Sequence, residues 1–261
     1  MQSLRGFKSI AILASLTLAF SASAAEEKEK LPSISSQVKK MMEKGKKKEN
    51  SKNPATKKSA KKKAGFTKAE YALMQKAQED LVKRLPDPGL KVGQKAPDFI
   101  LPNAYGKKVS LYSQLKKGPV ILTFYRGAWC PFCNIELHAL KKSMPWFKKY
   151  KAQVIAVTPQ KPDQSLSQIK KAKYPFKILS DLDSKVMKAY KLYFRLDPAL
   201  VLLYKKHGLD VESYNGKGRT VLPVPGTFVI DQQGIIRAAF SNVDYKVRME
   251  PAAILAALKK L

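Results

Sequence analysis

The chain has 261 residues, of which 50 are Lys or Arg and 20 are Asp or Glu, a formal net charge of +30. Apolar residues make up 44%, enough for a core, so disorder throughout is excluded, and the length suits one domain or two small ones. Two cysteines and two distant histidines, His138 and His207, exclude a disulfide-dense scaffold and a four-cysteine or histidine-rich metal centre, so no metal and no cofactor is expected.

Arg5 and Lys8 precede an apolar run from Ile10 to Phe20, and Ala22-Ser23-Ala24 follows in an A-x-A pattern. That order describes a secretory signal peptide over 1–24, cleaved after Ala24. The run is short for a membrane span, which needs about 20 apolar residues. Export to a bacterial periplasm is the expected localisation, and that compartment permits disulfides.

Residues 26–65 hold 14 lysines and 5 glutamates and almost no large apolar side chains. Such a segment buries too little surface to offset its chain entropy, so 25–65 is expected to be a disordered Lys-rich arm. It is read either as a tether to an anionic envelope surface or as a solvated spacer. Nucleic acid is not expected: the chain is exported, and no aromatics are interleaved with the lysines for base stacking.

Residues 66–89 read as an amphipathic helix and linker. Thr67-Lys68-Ala69-Glu70 fits a capping box, and Phe66 and Tyr71 occupy the hydrophobic-staple positions. Leu73, Ala77, Leu81 and Leu85 form one stripe, and Pro86 and Pro88 end the helix. The stripe needs a partner, either the following domain or a second subunit.

Residues 90–261 read as one α/β domain. Strands are expected at 99–101, 109–111, 120–124, 154–157, 176–179, 227–230 and 235–239. Helices are expected around 137–147, 163–173 and from Pro251 onward. Val120–Phe124 is apolar throughout, as a buried central strand requires. Asp231-Gln232-Gln233-Gly234 closes a terminal hairpin.

Both cysteines lie in Trp129-Cys130-Pro131-Phe132-Cys133, where the central strand gives way to a helix. Proline suits the first helical position. Cys130 then stands near the N-cap and Cys133 in the first turn, close to unpaired N–H groups and the positive end of the helix dipole. Those surroundings favour a thiolate. Arg126 can add its cation, and Trp129 can cover one side of the site while leaving a sulfur accessible on the other. A structural disulfide here would close a very small loop and stabilise little, so redox chemistry is the expected use.

The stretch Phe124-Tyr125-Arg126-Gly127-Ala128-Trp129-Cys130-Pro131-Phe132-Cys133-Asn134-Ile135-Glu136-Leu137 resembles the peroxiredoxin-like branch of the alkyl hydroperoxide reductase/thiol-specific antioxidant (AhpC/TSA) family, within the thioredoxin-like superfamily. The resemblance continues in Ala96-Pro97-Asp98-Phe99, in Val224 to Asp231 and in Asp244-Tyr245-Lys246-Val247-Arg248. It implies a thioredoxin-like fold, with a central mixed sheet flanked by helices, and a thiol-dependent antioxidant oxidoreductase that draws on an external dithiol reductant such as a thioredoxin-like protein.

Against the family's P-x-x-x-T-x-x-C motif, Cys133 takes the peroxidatic position, Cys130 stands where threonine belongs and Arg126 where proline belongs. The family's distant arginine falls at Pro225. A peroxiredoxin-type reading makes Cys133 the attacking sulfur and Cys130 the resolving one. A thioredoxin-type reading reverses them, because Trp129 precedes the pair and Pro225 stands at the cis-proline position, where a cis bond is expected. Either way the product is a Cys130–Cys133 disulfide. Hydroperoxide is the favoured substrate and protein disulfide the alternative. Arg126, Trp129, Pro225 and Thr227 are the supporting candidates, with Arg126 proposed to replace the missing arginine or else to form a structural salt bridge. Arg248 carries the same two options, and His138 reads as an exposed helix residue. A basic envelope-binding protein with a degenerate redox domain is the remaining class. The folded part, 86–261, keeps 30 basic and 12 acidic residues, so its basicity does not come from the arm.

Overall fold

A computed structural model describes residues 31–50 and 65–261. The expected signal peptide lies outside the described residues, as do 25–30 and 51–64 of the expected arm.

The first described element differs from the disorder expected of the arm, over 34–50 alone. Ile34–Asn50 forms a helix, α1. Ile34 and Val38, four residues apart, are buried against Ala139, Phe132 and Ile135. Each such burial stabilises docking by roughly 1.5–3 kcal/mol. The backbone N–H groups of Ile34 and Ser35 donate to the Glu250 carboxylate at 2.8 and 2.7 Å. An acidic side chain thus satisfies the helix N-terminus from across the chain.

Helix α2, Lys68–Arg84, begins as its sequence dictates. Glu70 N–H donates to Thr67 Oγ1 (3.2 Å) and Thr67 N–H donates to the Glu70 carboxylate (2.8 Å). The rings of Phe66 and Tyr71 lie 5.7 Å apart. The helix lays Leu73, Met74 and Ala77 on the following domain, the first of its two expected partners.

That domain is built on a five-stranded sheet in the order β5-β4-β3-β8-β9. These strands are β3 (Val120–Phe124), β4 (Gln153–Thr158), β5 (Lys177–Ser180), β8 (Gly226–Ile230) and β9 (Ile236–Ser241). β3 runs parallel to β4, and β4 to β5; β8 is antiparallel to both β3 and β9. β1 (Ile100–Pro102) and β2 (Lys108–Ser110) form the preceding hairpin. α3 (Leu111–Leu115) follows it. The long helix α4 (Pro131–Lys148) leaves β3, α5 (Pro162–Ala172) joins β4 to β5, and α9 (Pro251–Leu258) closes the chain. Every residue of β3 is buried, as its unbroken apolar run requires. Val120, Leu122 and Phe124 join the main core on one face with Phe228 and Ile230. Thr123 and Thr227 are paired across β3 and β8 and lie on the other face.

Between β5 and β8 the chain forms α6 (Lys185–Ala189), β6 (Tyr193–Arg195), α7 (Pro198–Lys206), α8 (Val211–Asn215) and β7 (Val221–Pro223). β6 and β7 pair antiparallel. Leu196, Leu200, Leu203, Val211 and Leu222 make a second small core, and this is the core that α2 covers. The peptide bonds of the described residues are all trans, so the cis bond expected at Pro225 is not formed.

Candidate active site

The turn from β3 into α4 builds the site. Cys130 is the N-cap of α4, Pro131 its first residue, and Cys133 lies in the first turn. The Cys133 N–H donates to Cys130 Sγ at 3.4 Å. The two sulfurs are not joined in a disulfide. Gly127 has φ 152°, and a Cβ there would stand 2.5 Å from the Trp129 indole nitrogen, so only glycine lets the ring fold back over the turn.

A buried polar network pins this turn. Ala128 N–H donates to Gln160 Oε1 (2.9 Å), and Ala128 C=O accepts from Asn134 Nδ2 (2.8 Å). Gln168 Nε2 donates to Asn134 Oδ1 (2.9 Å), and Tyr125 Oη donates to Gln168 Oε1 (2.8 Å). Gln160 Nε2 closes the circuit onto Tyr125 Oη and Ser165 Oγ.

Glu136 stands three residues after Cys133, on the same helix face. One guanidinium therefore serves both. Arg248 Nη2 donates to Cys133 Sγ at 3.4 Å, and Nη1 pairs with Glu136 Oε2. Arg248 Nε donates to Tyr245 C=O (2.8 Å). Glu136 Oε1 accepts from Thr123 and Thr227, each at 3.2 Å. Of the two candidate arginines, Arg248 bonds the sulfur, and Arg126 acts on it through its charge alone.

Arg126 is buried and stacks instead. Its guanidinium lies 5.0 Å from the Trp129 ring and 4.4 Å from the Tyr245 ring, with Nη2 donating to Tyr204 Oη (3.3 Å). Among the described residues no carboxylate pairs with it, so the alternative of a structural salt bridge is also corrected. Phe132 packs on Tyr245. Under this aromatic cover Cys130 is 1% and Cys133 0% exposed, so Trp129 leaves neither sulfur open to solvent. Thr227 belongs to the Glu136 network, and Pro225 lines the cavity outside the aromatic cover. His138 is exposed on α4, as expected.

The electrostatics separate the two thiols. Burial opposes ionisation of Cys133, yet the hydrogen bond with Cys130 and the cations Arg248 and Arg126 together hold its pKa well below that of an ordinary thiol. Burial, then the contact with Cys133, pushes Cys130 well above it. Burial raises Glu136, opposed by Arg248, while Arg248 keeps its charge because Glu136 and Cys133 outweigh its own desolvation. Two buried cations thus face one carboxylate and one thiolate, a set without net charge.

A pair of thiols at a helix N-terminus beside the central strand of a mixed sheet defines a thiol oxidoreductase of thioredoxin-like fold. The comparisons agree. A model of the AhpC/TSA family matches residues 92–239. A putative peroxiredoxin bcp of Helicobacter pylori is 32% identical over 157 residues, 60% of this chain and 91% of that protein. One of Coxiella burnetii is 33% identical over 156 residues, 59% of this chain and 90% of that protein. The crystal structure of peroxidoxin BcpB from Mycobacterium tuberculosis superposes with a TM-score of 0.52 at 21% identity, covering 66% of this chain and 98% of that one. The chain belongs to the AhpC/TSA family and is a peroxiredoxin-like enzyme. Helices α1 and α2 and the Tyr245–Arg248 segment lie outside the family-matched residues.

Proposed function

We propose that the chain reduces hydroperoxides with Cys133 as the attacking sulfur and Cys130 as the resolving one. The observation that carries this assignment is the Arg248 guanidinium on Cys133 Sγ, with the two thiol pKa values driven apart. In the first step the Cys133 thiolate attacks the terminal peroxide oxygen. The O–O bond breaks, sulfur becomes a sulfenic acid, and the departing oxygen takes a proton and leaves as an alcohol or water. In the second step Cys130 displaces the hydroxyl from Cys133. An S–S bond forms, and the Cys130 proton leaves with that hydroxyl as water. An external dithiol, such as a thioredoxin-like protein, then returns two electrons.

The reverse assignment asks a buried thiol with a raised pKa to attack first, which chemistry disfavours. Resolution within the pair suits the geometry, since Cys130 Sγ already touches the first-turn N–H of Cys133. Export rests on the Arg5–Ala24 pattern and is tested by fractionation with sequencing of the mature N-terminus.

Rapid mixing of reduced protein with hydrogen peroxide tests the assignment. Fast sulfenic acid formation, trapped by a dimedone probe, is expected to survive in Cys130→Ser and vanish in Cys133→Ser. Slow peroxide reaction in both variants, with fast disulfide exchange that needs Cys130, would sink it.

A further inference from the structure

With Cys130 and Cys133 both out of reach of solvent, neither sulfur can meet another molecule unless part of its cover moves. The cover has two halves. Trp129 belongs to the firmer one, on the turn that Gln160 and Asn134 pin through Ala128. Phe132 and Tyr245 make the other, their ring centroids 5.3 Å apart. Phe132 stands between the two cysteines in sequence. Tyr245 stands in the segment 242–250, which has neither helix nor strand.

Helix α1 grips this second half from both sides of the chain. Ile34 and Val38 pack on Phe132, together with Ile135 and Ala139. While α1 is docked, Phe132 is held between those side chains and Tyr245. The N–H groups of Ile34 and Ser35 bond Glu250, which ends the segment that carries Tyr245. α1 therefore bridges the two stretches of chain that meet over the thiols. It lies outside the family-matched residues 92–239, so it is an addition to the shared domain.

We infer that α1 is an autoinhibitory strap: docked, it holds the thiol site shut, and its release opens the Phe132–Tyr245 half of the cover to reactants. Access to the sulfurs then scales with the fraction of molecules whose α1 has let go. The strap governs access alone, so it acts whichever sulfur attacks and whatever the oxidant. Release leaves the charge of Cys133 in place, because Arg248 stays fixed by its buried pairing with Glu136. Loss of one of the few contacts that hold α1 should raise the released fraction by about 5–30-fold.

The test compares the full reduced chain with Val38→Asp, with Ile34→Asp/Val38→Asp and with Lys39→Ala, an exposed position on α1. Amide exchange over 34–45 reads release of the helix, and exchange in β3 and β4 reads the integrity of the domain. Access is read by the hydrogen peroxide rate and, on a Cys130→Ser background, by alkylation of Cys133 with iodoacetamide. Val38→Asp is expected to speed exchange in α1 and to raise both rates by about 5–30-fold, with the Cys133 titration unchanged. Lys39→Ala is expected to change none of these. Glu250→Ala frees the same helix from its other end and repeats the test if an aspartate variant unfolds the domain. If α1 is released and either rate stays level or falls, the inference is overturned. It is likewise overturned if the rates rise only with a shifted Cys133 titration, or if exchange over 34–45 is unchanged even in the double variant. If no protein in the series reacts with hydrogen peroxide while release speeds alkylation, the peroxidase reading fails and the strap stands.

Discussion

Arg248 Nη2 lies 3.4 Å from Cys133 Sγ, while Nη1 of the same guanidinium holds Glu136 one helical turn further along α4. After the hydrogen bond with Cys130, this contact does most to favour the charged form of the sulfur. With its pKa held well below that of an ordinary thiol, Cys133 stays ionised as pH falls through about 8.5, where a free thiol takes up its proton. The rate of peroxide reaction should be flat across that range and drop only at lower pH. Arg248→Gln removes the cation, so the drop should begin at higher pH and the rate at neutrality should fall. Ultraviolet thiolate absorbance against pH, on a Cys130→Ser background, reads the shift. An unchanged titration would remove Arg248 from this role.

The partner of that arginine is a stability question. Glu136 and Arg248 are both almost fully buried, and removing one member of a buried pair strands the other. Glu136→Ala should cost about 3–5 kcal/mol. Glu136→Gln keeps acceptors for Thr123 and Thr227 and should cost less. Urea denaturation of the reduced protein measures both, and equal losses would show that the charge is not what matters.

Much of this architecture is legible in the sequence, and the exceptions have physical causes. β3 and the capped start of α2 are written in local residue patterns, and so is the Cys130-Pro131 entry to α4. Helix α1 is not, because its docking face rests on Ile34 and Val38 within a lysine-dominated composition. The stretch from α6 to β7 also escapes, since, apart from the nine residues of α7, its three-residue strands and five-residue helices show almost no period. At the site, Glu136 could have been found: it follows Cys133 at the i, i+3 spacing that shares a face. Arg248 shares its two candidate roles with Arg126, and nothing local chooses between them. No local rule says that a residue after β9 returns to the start of α4.

The contact of Glu250 with α1 predicts how firmly the N-terminal segment is held. Glu250 caps two N–H groups across a gap of more than 200 residues in sequence. Glu250→Ala should weaken docking by about 1–2 kcal/mol, the usual range for a lost helix cap with its charge. Amide exchange over 34–45 should speed up, while exchange in β3 and β4 stays unchanged. Glu250→Gln, which keeps one acceptor, should lie between. Equal exchange in all three proteins would show that Ile34 and Val38 hold the helix without the cap.

Gln160 tests whether the turn before the cysteines needs its polar anchor. Its carbonyl oxygen holds Ala128 N–H, and its amide reaches Tyr125 and Ser165, all in buried surroundings. Gln160→Ala leaves Ala128 N–H without its acceptor and removes one of the two partners of Tyr125 Oη, and should cost about 1–3 kcal/mol in stability. The kinetic effect should be selective. Arg248, Glu136 and Cys133 lie outside this network, so sulfenic acid formation and the Cys133 titration should stay near wild type. Cys130 sits on the loosened turn, its N–H bonded to Gly127 C=O. Closure of the Cys130–Cys133 disulfide should therefore slow by about tenfold or more, because small misplacements of a reacting group cost that much. Gln160→Glu restores the acceptor for Ala128 and should recover part of the rate. Stopped-flow separation of the two steps reads the split. A uniform loss in both would mean that Gln160 supports the fold without positioning Cys130.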